Sequence, residues 1–397
     1  MDLGVENVLV YVDDAIREDA GRERTAHLGP TQTTIAASTH TPTSFGSILT
    51  GLLPPRNNIL SFKHVIPPEI RSLFDLETHT TSLGAKGGMN HSIAEIFRNP
   101  PRRTVEDLEP PFVHVERRPG GHTPYDGFDW DTIEFANETG AEYFDRMADD
   151  PDGARADYYD GVDRAVREFE RVLDVLVDRG LADDTLVIYT SDHGELLGEY
   201  GFFGHTHVAV PEVVYVPTTF VHPSLSPGHR DGLFHHVDLL PTIAEALSAD
   251  VDIGRTDGTV NGDGRTTGYN HLEHVRYGRL PAPLETAVSK VGGFERTMRS
   301  LWDQDGGQVF VEGSLIGTSL VYLGLLKQPF GKQVYHTGSV RDAYEQFTPG
   351  HTTYGSPSIG RIEARSAIDS IVSGDTVEHE TEIGEDTVEQ LESMGYL

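Results

Sequence analysis

The chain has 397 residues, enough to bury a sizeable core in one large domain or two. Its 63 acidic and 31 basic residues give a formal net charge of -32 at pH 7, and the acids are spread along the chain, which disfavours nucleic acid and anionic lipid as partners. It has no cysteine, which excludes disulfides, thiolate metal sites and a cysteine nucleophile.

Lysine occurs only at Lys63, Lys86, Lys290, Lys327 and Lys332, so arginine carries most of the positive charge. Dispersed carboxylates with few lysines fit a salt-in halophile's protein, because concentrated salt screens the self-repulsion. The N-terminal stretch, MDLGVENVLVYVDD, has no basic n-region and no twin arginine. No apolar run approaches the ~20 residues that span a bilayer. These features predict a cytoplasmic protein with no membrane span.

In chain order, the first predicted strand is Asn7 to Val12, apolar from Val8 onward as a strand buried on both faces should be, and it runs into Asp13-Asp14. STHTPTSFGSILTGLLPPR then predicts a loop entering a short helix near Thr41, followed by a proline-rich turn. Pro110 to Arg118 predicts a strand, followed by the loop PGGHTPYDG. Apolar positions at Val162, Val166, Phe169, Val172, Leu173, Val175 and Leu176 predict an amphipathic helix over 156–179, closed by Gly180. A turn at Asp183-Asp184 feeds a buried strand, Thr185 to Ser191, which runs straight into Asp192-His193-Gly194-Glu195. Helix, short turn and buried strand is the rhythm of a parallel α/β sheet.

His235 to Ala249 predicts another helix, with His235 and His236 supporting its start. Asp252 to Gly268 is the clearest composition break, and its acid spacing fits no calcium loop, so it predicts a mobile surface connection. GGQVFVEG and the apolar run from Ser314 to Leu326 read as strands, and DTVEQLESMGYL as a short final helix. The division expected is a large α/β domain over 1–265 and a smaller α+β subdomain over 266–397.

Ligands of doubly wound sheets gather beyond the carboxyl ends of the strands. Asp14 and Asp192-His193 stand at two such ends, and two carboxylates with an imidazole make a plausible divalent cation site. Taken singly, Asp13-Asp14 also reads as a pair of turn acids and Asp192-His193-Gly194 as a loop. Thr41 reads either as a helix cap or as a hydroxyl nucleophile, since a helix N-terminus stabilises an alkoxide and the anion it attacks. Arg17 suits an ion pair with a nearby carboxylate.

NVLVYVDD, TPTSFGSILTGLLPPR, HTPYDG, RVLDVLVDRGLADDTLVIYTSDHGELLGEYGFFGH, HHVDLLPTIAEAL and LESMGYL occur in an order that resembles the sulfatase branch of the alkaline phosphatase superfamily. The likeness covers roughly residues 5–250 and the last dozen. It implies an alkaline phosphatase-like, mostly parallel sheet sandwiched by helices. It also implies metal ligation by Asp14, Thr41, Asp192 and His193; such oxygen and imidazole ligands suit manganese, zinc, magnesium or calcium. Thr41, ten residues before Gly51, falls at the family's nucleophile position. His122 and His205 fall where the family contacts the ester oxyanion or leaving group. Asp13 is either a second ligand or a neighbour, and His207 a neighbour without an assigned role.

One departure bears on chemistry. True sulfatases make formylglycine within a Cys/Ser-x-Pro-x-Arg pattern. Here Thr41 stands at the modified position, proline falls at Pro42, and Phe45 replaces the arginine. Threonine cannot give that aldehyde hydrate. The resemblance therefore implies a metal-dependent hydrolase of phosphate-type or sulfate esters, on small-molecule or glycan substrates, with Thr41 attacking directly. The alternatives are phospho-group transfer to an alcohol and a non-catalytic binding protein of the same fold.

Overall fold

Strand β1, Asn7–Asp13, is central, and its alternation sorts the core. Val8, Val10 and Val12 face one apolar layer, whereas Leu9 and Tyr11 face the other. Both faces are covered by helices, which is why this strand is apolar almost throughout. The computed structural model describes residues 3–87, 89–125, 127–205, 207–247, 250–274, 293–327 and 340–374.

The main sheet adds β2 (Pro30–Ile35), β3 (Thr80–Gly84), β4 (Arg102–Arg103), β5 (Phe112–Arg118), β8 (Thr185–Ser191), β11 (Tyr215–Val221) and β12 (Gly228–His235). Its eight strands lie in the order β12-β2-β11-β8-β1-β5-β3-β4. Only β11 runs against its neighbours, β2 and β8; the other pairings are parallel. The expected α/β class, a mostly parallel sheet between helices, is the one observed. Two small hairpins, β6 (Phe128–Asp129) with β7 (Glu134–Phe135) and β9 (Leu196–Leu197) with β10 (Phe203–Gly204), decorate the loops.

One helical layer includes α2 (Thr41–Thr50), α4 (Met89–Ile96) and α8 (Leu239–Ala246), whose Phe45, Ile48, Leu49, Ile93, Leu240 and Ile243 pack with the valines of β1. On the other side α1 (Glu18–Thr25) lies near the long α6 (Pro151–Asp178). Phe169, Val172 and Leu176 of α6 pack on Leu9, Tyr11, Val187 and Tyr189. Each such side chain, fully buried, contributes about 1.5–3 kcal/mol. The reversed strand β11 closes a stem: Gly194 N donates to Val213 O at 2.9 Å, so the segment after β8 leaves and rejoins the sheet at one point. Short helices α3 (Pro54–Asn57), α5 (Gly140–Arg146) and α7 (Pro211–Val214) lie in connections.

A second, antiparallel sheet has the order β13 (Gly268–His274), β14 (Arg296–Trp302), β15 (Gly306–Gly313) and β16 (Gly350–Gly355). Its Leu272, Met298, Trp302 and Val309 form one cluster with Ile35 and Leu233 at the main sheet's edge. His271 N donates to Ala37 O at 2.8 Å and Asn270 Nδ2 to Ala36 O at 2.8 Å, so β13 holds the approach to Thr41. Helices α9 (Leu315–Leu325), α10 (Val340–Phe347) and α11 (Arg361–Val372) complete this region.

Two expectations change. The run from Ser314 to Leu326 is helix α9 rather than a strand: the Ser314 side chain accepts from Gly317 N at 3.2 Å as an N-cap, and neighbouring β15 already carries the sheet. The stretch 252–268 is latched rather than loose. Asp257 accepts from Leu53 N at 2.9 Å and pairs with Arg56, Thr256 donates to Gly51 O at 2.9 Å, and Arg265 forks onto buried Asp238. The helix expected at DTVEQLESMGYL lies outside the described residues.

The -32 charge predicts a salt response. Raising KCl from ~0.1 M to ~1 M shortens the Debye length from ~10 Å to ~3 Å and removes most surface repulsion. The melting temperature, followed by circular dichroism, is therefore expected to rise through the molar range. A flat or falling curve contradicts this reading of the composition.

Candidate active site

Strands β1 and β8 pair in parallel with Asp13 opposite Ser191, so the next residue of each, Asp14 and Asp192, leaves the sheet at the same level. The two carboxylates and His193 are fully buried, and one ligand atom from each falls within 4.8 Å of the others. Each carboxylate gives one oxygen to the protein. Asp192 Oδ1 accepts from Ala15 N at 3.2 Å and His193 N at 2.9 Å, and Asp14 Oδ2 accepts from Arg117 at 2.5 Å. The other oxygens, Asp14 Oδ1 and Asp192 Oδ2, have no hydrogen-bond partner and lie 3.6 and 3.5 Å from His193 Nε2. His193 Nδ1 donates to Gly194 O at 3.0 Å, which leaves Nε2 as a lone-pair donor. Buried anionic oxygens facing a basic nitrogen fit a divalent cation well, since an orphaned buried charge is otherwise costly.

Thr41 opens α2 and is fully buried, with Oγ1 3.2 Å from His193 Nε2. Ser44 Oγ donates to Ser38 O at 2.9 Å and holds the loop that presents Thr41. Thus the structure brings Asp14, Thr41, Asp192 and His193 together.

The two further histidines join the same cluster. His205 stacks on His193 with ring centroids 4.1 Å apart, and His122 lies 5.5 Å from His205. His122 Nδ1 donates to Thr123 O at 2.6 Å. Its loop lies close on β1 because Gly120, at φ 52°, lacks a Cβ that would fall 2.4 Å from Asp14 O. His205 Nδ1 meets Glu195 Oε2 at 2.7 Å, and Tyr125 donates to Glu195 Oε1 at 2.6 Å. Burial pushes Glu195 up to about 8 and His205 down, and both shifts favour the uncharged form of the pair.

Burial opposes charge on both Asp14 and Asp192, but they respond in opposite directions. His122 and Arg117 overcome it and bring Asp14 below the usual carboxylate range, whereas burial and the Asp14 charge push Asp192 up. Asp13 belongs elsewhere: alternation puts it on the face of Leu9 and Tyr11, beside Tyr189 and Arg118, and burial raises its carboxyl to about 7.

Arg17 pairs with Asp19 at 2.8 Å and Glu199 at 2.7 Å, as a structural arginine does. His207 lies against Phe202, its carbonyl held by Arg296, outside the histidine cluster. His235 caps the following turn, its Nδ1 accepting from Val237 N at 3.2 Å. His236 acts differently from the expected helix support. Its Nε2 donates to Ser191 O at 2.9 Å and its Nδ1 accepts from Ala37 N at 3.2 Å, so it braces the Thr41 loop against the end of β8. Burial pushes it down to about 3, which keeps it in this neutral form.

Sequence reasoning missed Arg117, whose guanidinium carbon lies 5.8 Å from the Phe45 ring. A guanidinium therefore stands beside the residue that replaces the motif's arginine, but it comes from β5. The available signal was an arginine pair ending one strand and an aspartate pair ending another. Glu195 was also missed, although it directly follows the Asp-His-Gly element.

The sulfatase family matches residues 107–249. A curated relative, the low-salt glycan biosynthesis sulfotransferase Agl7 of Haloferax volcanii, is 31% identical over 420 aligned residues, spanning 99% of this chain and 97% of its own. The chain belongs to the sulfatase branch of the alkaline phosphatase superfamily. Two solved members of the superfamily share its fold. The phosphonate monoester hydrolase of Agrobacterium radiobacter has a TM-score of 0.58 at 13% identity, covering 83% of this chain and 96% of that one. A 2-O GAG sulfatase has a TM-score of 0.58 at 11% identity, covering 95% and 99%. Sulfatase-family membership and these hydrolase neighbours support an enzyme that acts on sulfate or phosphate-type esters.

Proposed function

We propose that the chain is a metal-dependent enzyme that opens a sulfate or phosphate-type ester by attack of the Thr41 hydroxyl. The observation that carries this is the buried contact between Thr41 Oγ1 and His193 Nε2, at 3.2 Å, beside two carboxylate oxygens without hydrogen bonds. Asp14, Asp192 and His193, with Thr41 as a fourth ligand, would hold a divalent cation, which supplies Lewis-acid stabilisation of negative charge there.

The chain's own groups do the rest. The first turn of α2 places its N–H groups and positive dipole end near the attacked anion. The Thr41 hydroxyl gives up its proton to the site's histidines and its Oγ forms a bond to sulfur or phosphorus as the ester oxygen departs, giving a threonine ester and, once that oxygen is protonated, an alcohol. His122 and His205 hold the non-bridging oxygens and pass a proton to the departing oxygen. Glu195 and the Thr123 carbonyl fix the two rings through Nδ1, so each presents Nε2. Arg117 keeps Asp14 ionised and oriented.

The acceptor in the second step decides between hydrolysis and transfer. The full-length relative is named for sulfotransfer in glycan biosynthesis, which favours a sugar hydroxyl over water for this chain as a second reading. Sulfated and phosphorylated donors, incubated with glycerol or a free sugar at molar salt, test both. New sulfo- or phospho-sugar marks transfer and free inorganic anion marks hydrolysis. Because formylglycine is excluded, phosphate-type esters are expected to turn over faster than sulfate esters. A sulfate preference of about tenfold, equal to ~1.4 kcal/mol in barrier, would reverse that expectation.

A further inference from the structure

Thr41 and the carboxylate-imidazole cluster come from separate parts of the sheet. Thr41 follows β2 through residues 36–40, whereas Asp192 and His193 follow β8, and β11 lies between those two strands. Neighbouring strands are ~4.8 Å apart, so the ends of β2 and β8 lie ~10 Å from each other. β11 fills this gap only in part. Its ladder with β8 stops at the pair Thr218–Thr190, and the next residue towards the site, Pro217, has no N–H to give. The segment leading to Thr41 is held at every backbone group of Ala36 and Ala37, both fully buried. Ala36 N donates to Val214 O and Ala36 O accepts from Asn270 Nδ2, both at 2.8 Å. Ala37 O accepts from His271 N at 2.8 Å, and Ala37 N donates to His236 Nδ1 at 3.2 Å. Two of these bonds lead on to the residues that follow β8. The Val214 bond does so through backbone, because Val213 O accepts from Gly194 N at 2.9 Å. The His236 bond does so through a side chain, because His236 Nε2 donates to Ser191 O at 2.9 Å.

Both ends of this bridge are fixed. Ser191 Oγ accepts from Ile16 N and donates to His193 O, each at 2.8 Å. Behind His236, buried Asp238 accepts from His235 N at 2.9 Å and from Thr259 N at 2.8 Å, and pairs with Arg265. We infer that His236 is a positioning residue: by spanning the Thr41 loop and the end of β8 it sets where Thr41 Oγ1 stands relative to Asp192 and His193. The inference rests on the reading of Thr41 as nucleophile. A neutral imidazole suits the task, since one ring nitrogen donates, the other accepts, and the ring between them is rigid. Both of these hydrogen bonds go to backbone, so His236 acts through Thr41 and not on the substrate. The spacing it holds matters, because an attacking atom has to lie ~3–3.5 Å from its target and a 1 Å displacement can cost ~100-fold in rate.

The test cuts the bridge at each end in the full chain. In His236→Asn the amide oxygen can stand near the place of Nδ1 and keep the Ala37 N bond, while Ser191 O loses its donor. In His236→Gln the amide nitrogen can stand near the place of Nε2 and keep the Ser191 O bond, while Ala37 N loses its acceptor. His236→Phe loses both. A bridge fails when either end is cut, so kcat is expected to fall ~10- to 100-fold in all three, with KM within ~twofold of wild type and bound metal unchanged. The melting temperature should instead follow the number of bonds lost, with Asn and Gln alike and Phe lowest. Near-normal kcat in Asn or in Gln, with the loss confined to Phe, marks a merely structural role and overturns the inference. Wild-type kcat in all three overturns it too, as does bound metal that falls in step with kcat. If the Phe variant does not fold, Asn and Gln decide alone. Thr41→Ala, assayed in parallel, separates the two claims. If it is inactive while the His236 variants keep wild-type kcat, only the positioning role fails. If it is active, the nucleophile reading fails and takes this inference with it.

Discussion

Replacing Thr41 by alanine is expected to lower turnover at least ~100-fold, the low end for loss of an essential catalytic group. The substitution removes the hydroxyl 3.2 Å from His193 Nε2 and little else, because Thr41 is a buried side chain on a helix that other contacts hold. Thr41→Ser keeps the oxygen and should retain measurable activity, reduced by freer rotation about χ1. Neighbouring hydroxyls supply the control. Thr43→Ala should cost little, and Ser44→Ala should cost only what loosening the bond to Ser38 O costs, typically ~1 kcal/mol of stability. Enzyme quenched in acid during turnover, then digested, should carry the sulfo or phospho group on the peptide containing Thr41. An adduct on Ser44, or near-normal activity in Thr41→Ala, would show that the nucleophile has been misplaced.

Metal removal is the second large effect expected. Chelation should abolish ester turnover, and Asp192→Asn should lose most bound metal by elemental analysis. This substitution is a clean probe. Asn can keep the Oδ1 acceptor that serves Ala15 N and His193 N while it neutralises the oxygen that has no partner. The stability readout carries an opposite sign. Without metal, Asp192→Asn should melt higher than wild type, because it removes one of the two adjoining buried acids, Asp14 and Asp192. With metal, wild type should gain stability by mass action and the variant should not. Equal metal binding by the two proteins would refute the ligand assignment.

Those two experiments rest on residues that were legible in the sequence for a simple reason. A strand buried on both faces has to be apolar, so its end is conspicuous when it runs into acids. β1 into Asp13-Asp14 and β8 into Asp192-His193 are two such ends, and their parallel pairing brings them together. Asp14 was named from the sequence, but whether Asp13 joins it as a second ligand was not legible, because that is decided by the parity of the pleat. Arg117 was hidden for a related reason: its partner Asp14 is distant in sequence and the two meet only through the register of β1 on β5. The misread of α9 is of another kind. A helix whose inward stripe, Thr318, Val321, Tyr322 and Leu325, is interleaved with exposed Leu315, Ile316, Leu320 and Leu323 is apolar nearly all round, so no polar face reveals its period. The latch at 252–268 was missed because glycine and aspartate read as freedom, whereas Asp257 is spent on Leu53 N and Arg56.

The reversed direction of β11 has an evolutionary consequence. Because Gly194 N is bonded to Val213 O, the intervening residues form a closed loop whose neck lies immediately after His193. Lengthening a closed loop is inexpensive, each doubling costing only ~0.6 kcal/mol. Insertions near Tyr200, at the loop's left-handed turn, can therefore accumulate while the neck keeps Asp192 and His193 in register. Growth at the tip would change the surroundings of the site, and hence its substrate preference, while Glu195 and His205, carried by the same loop, keep their places.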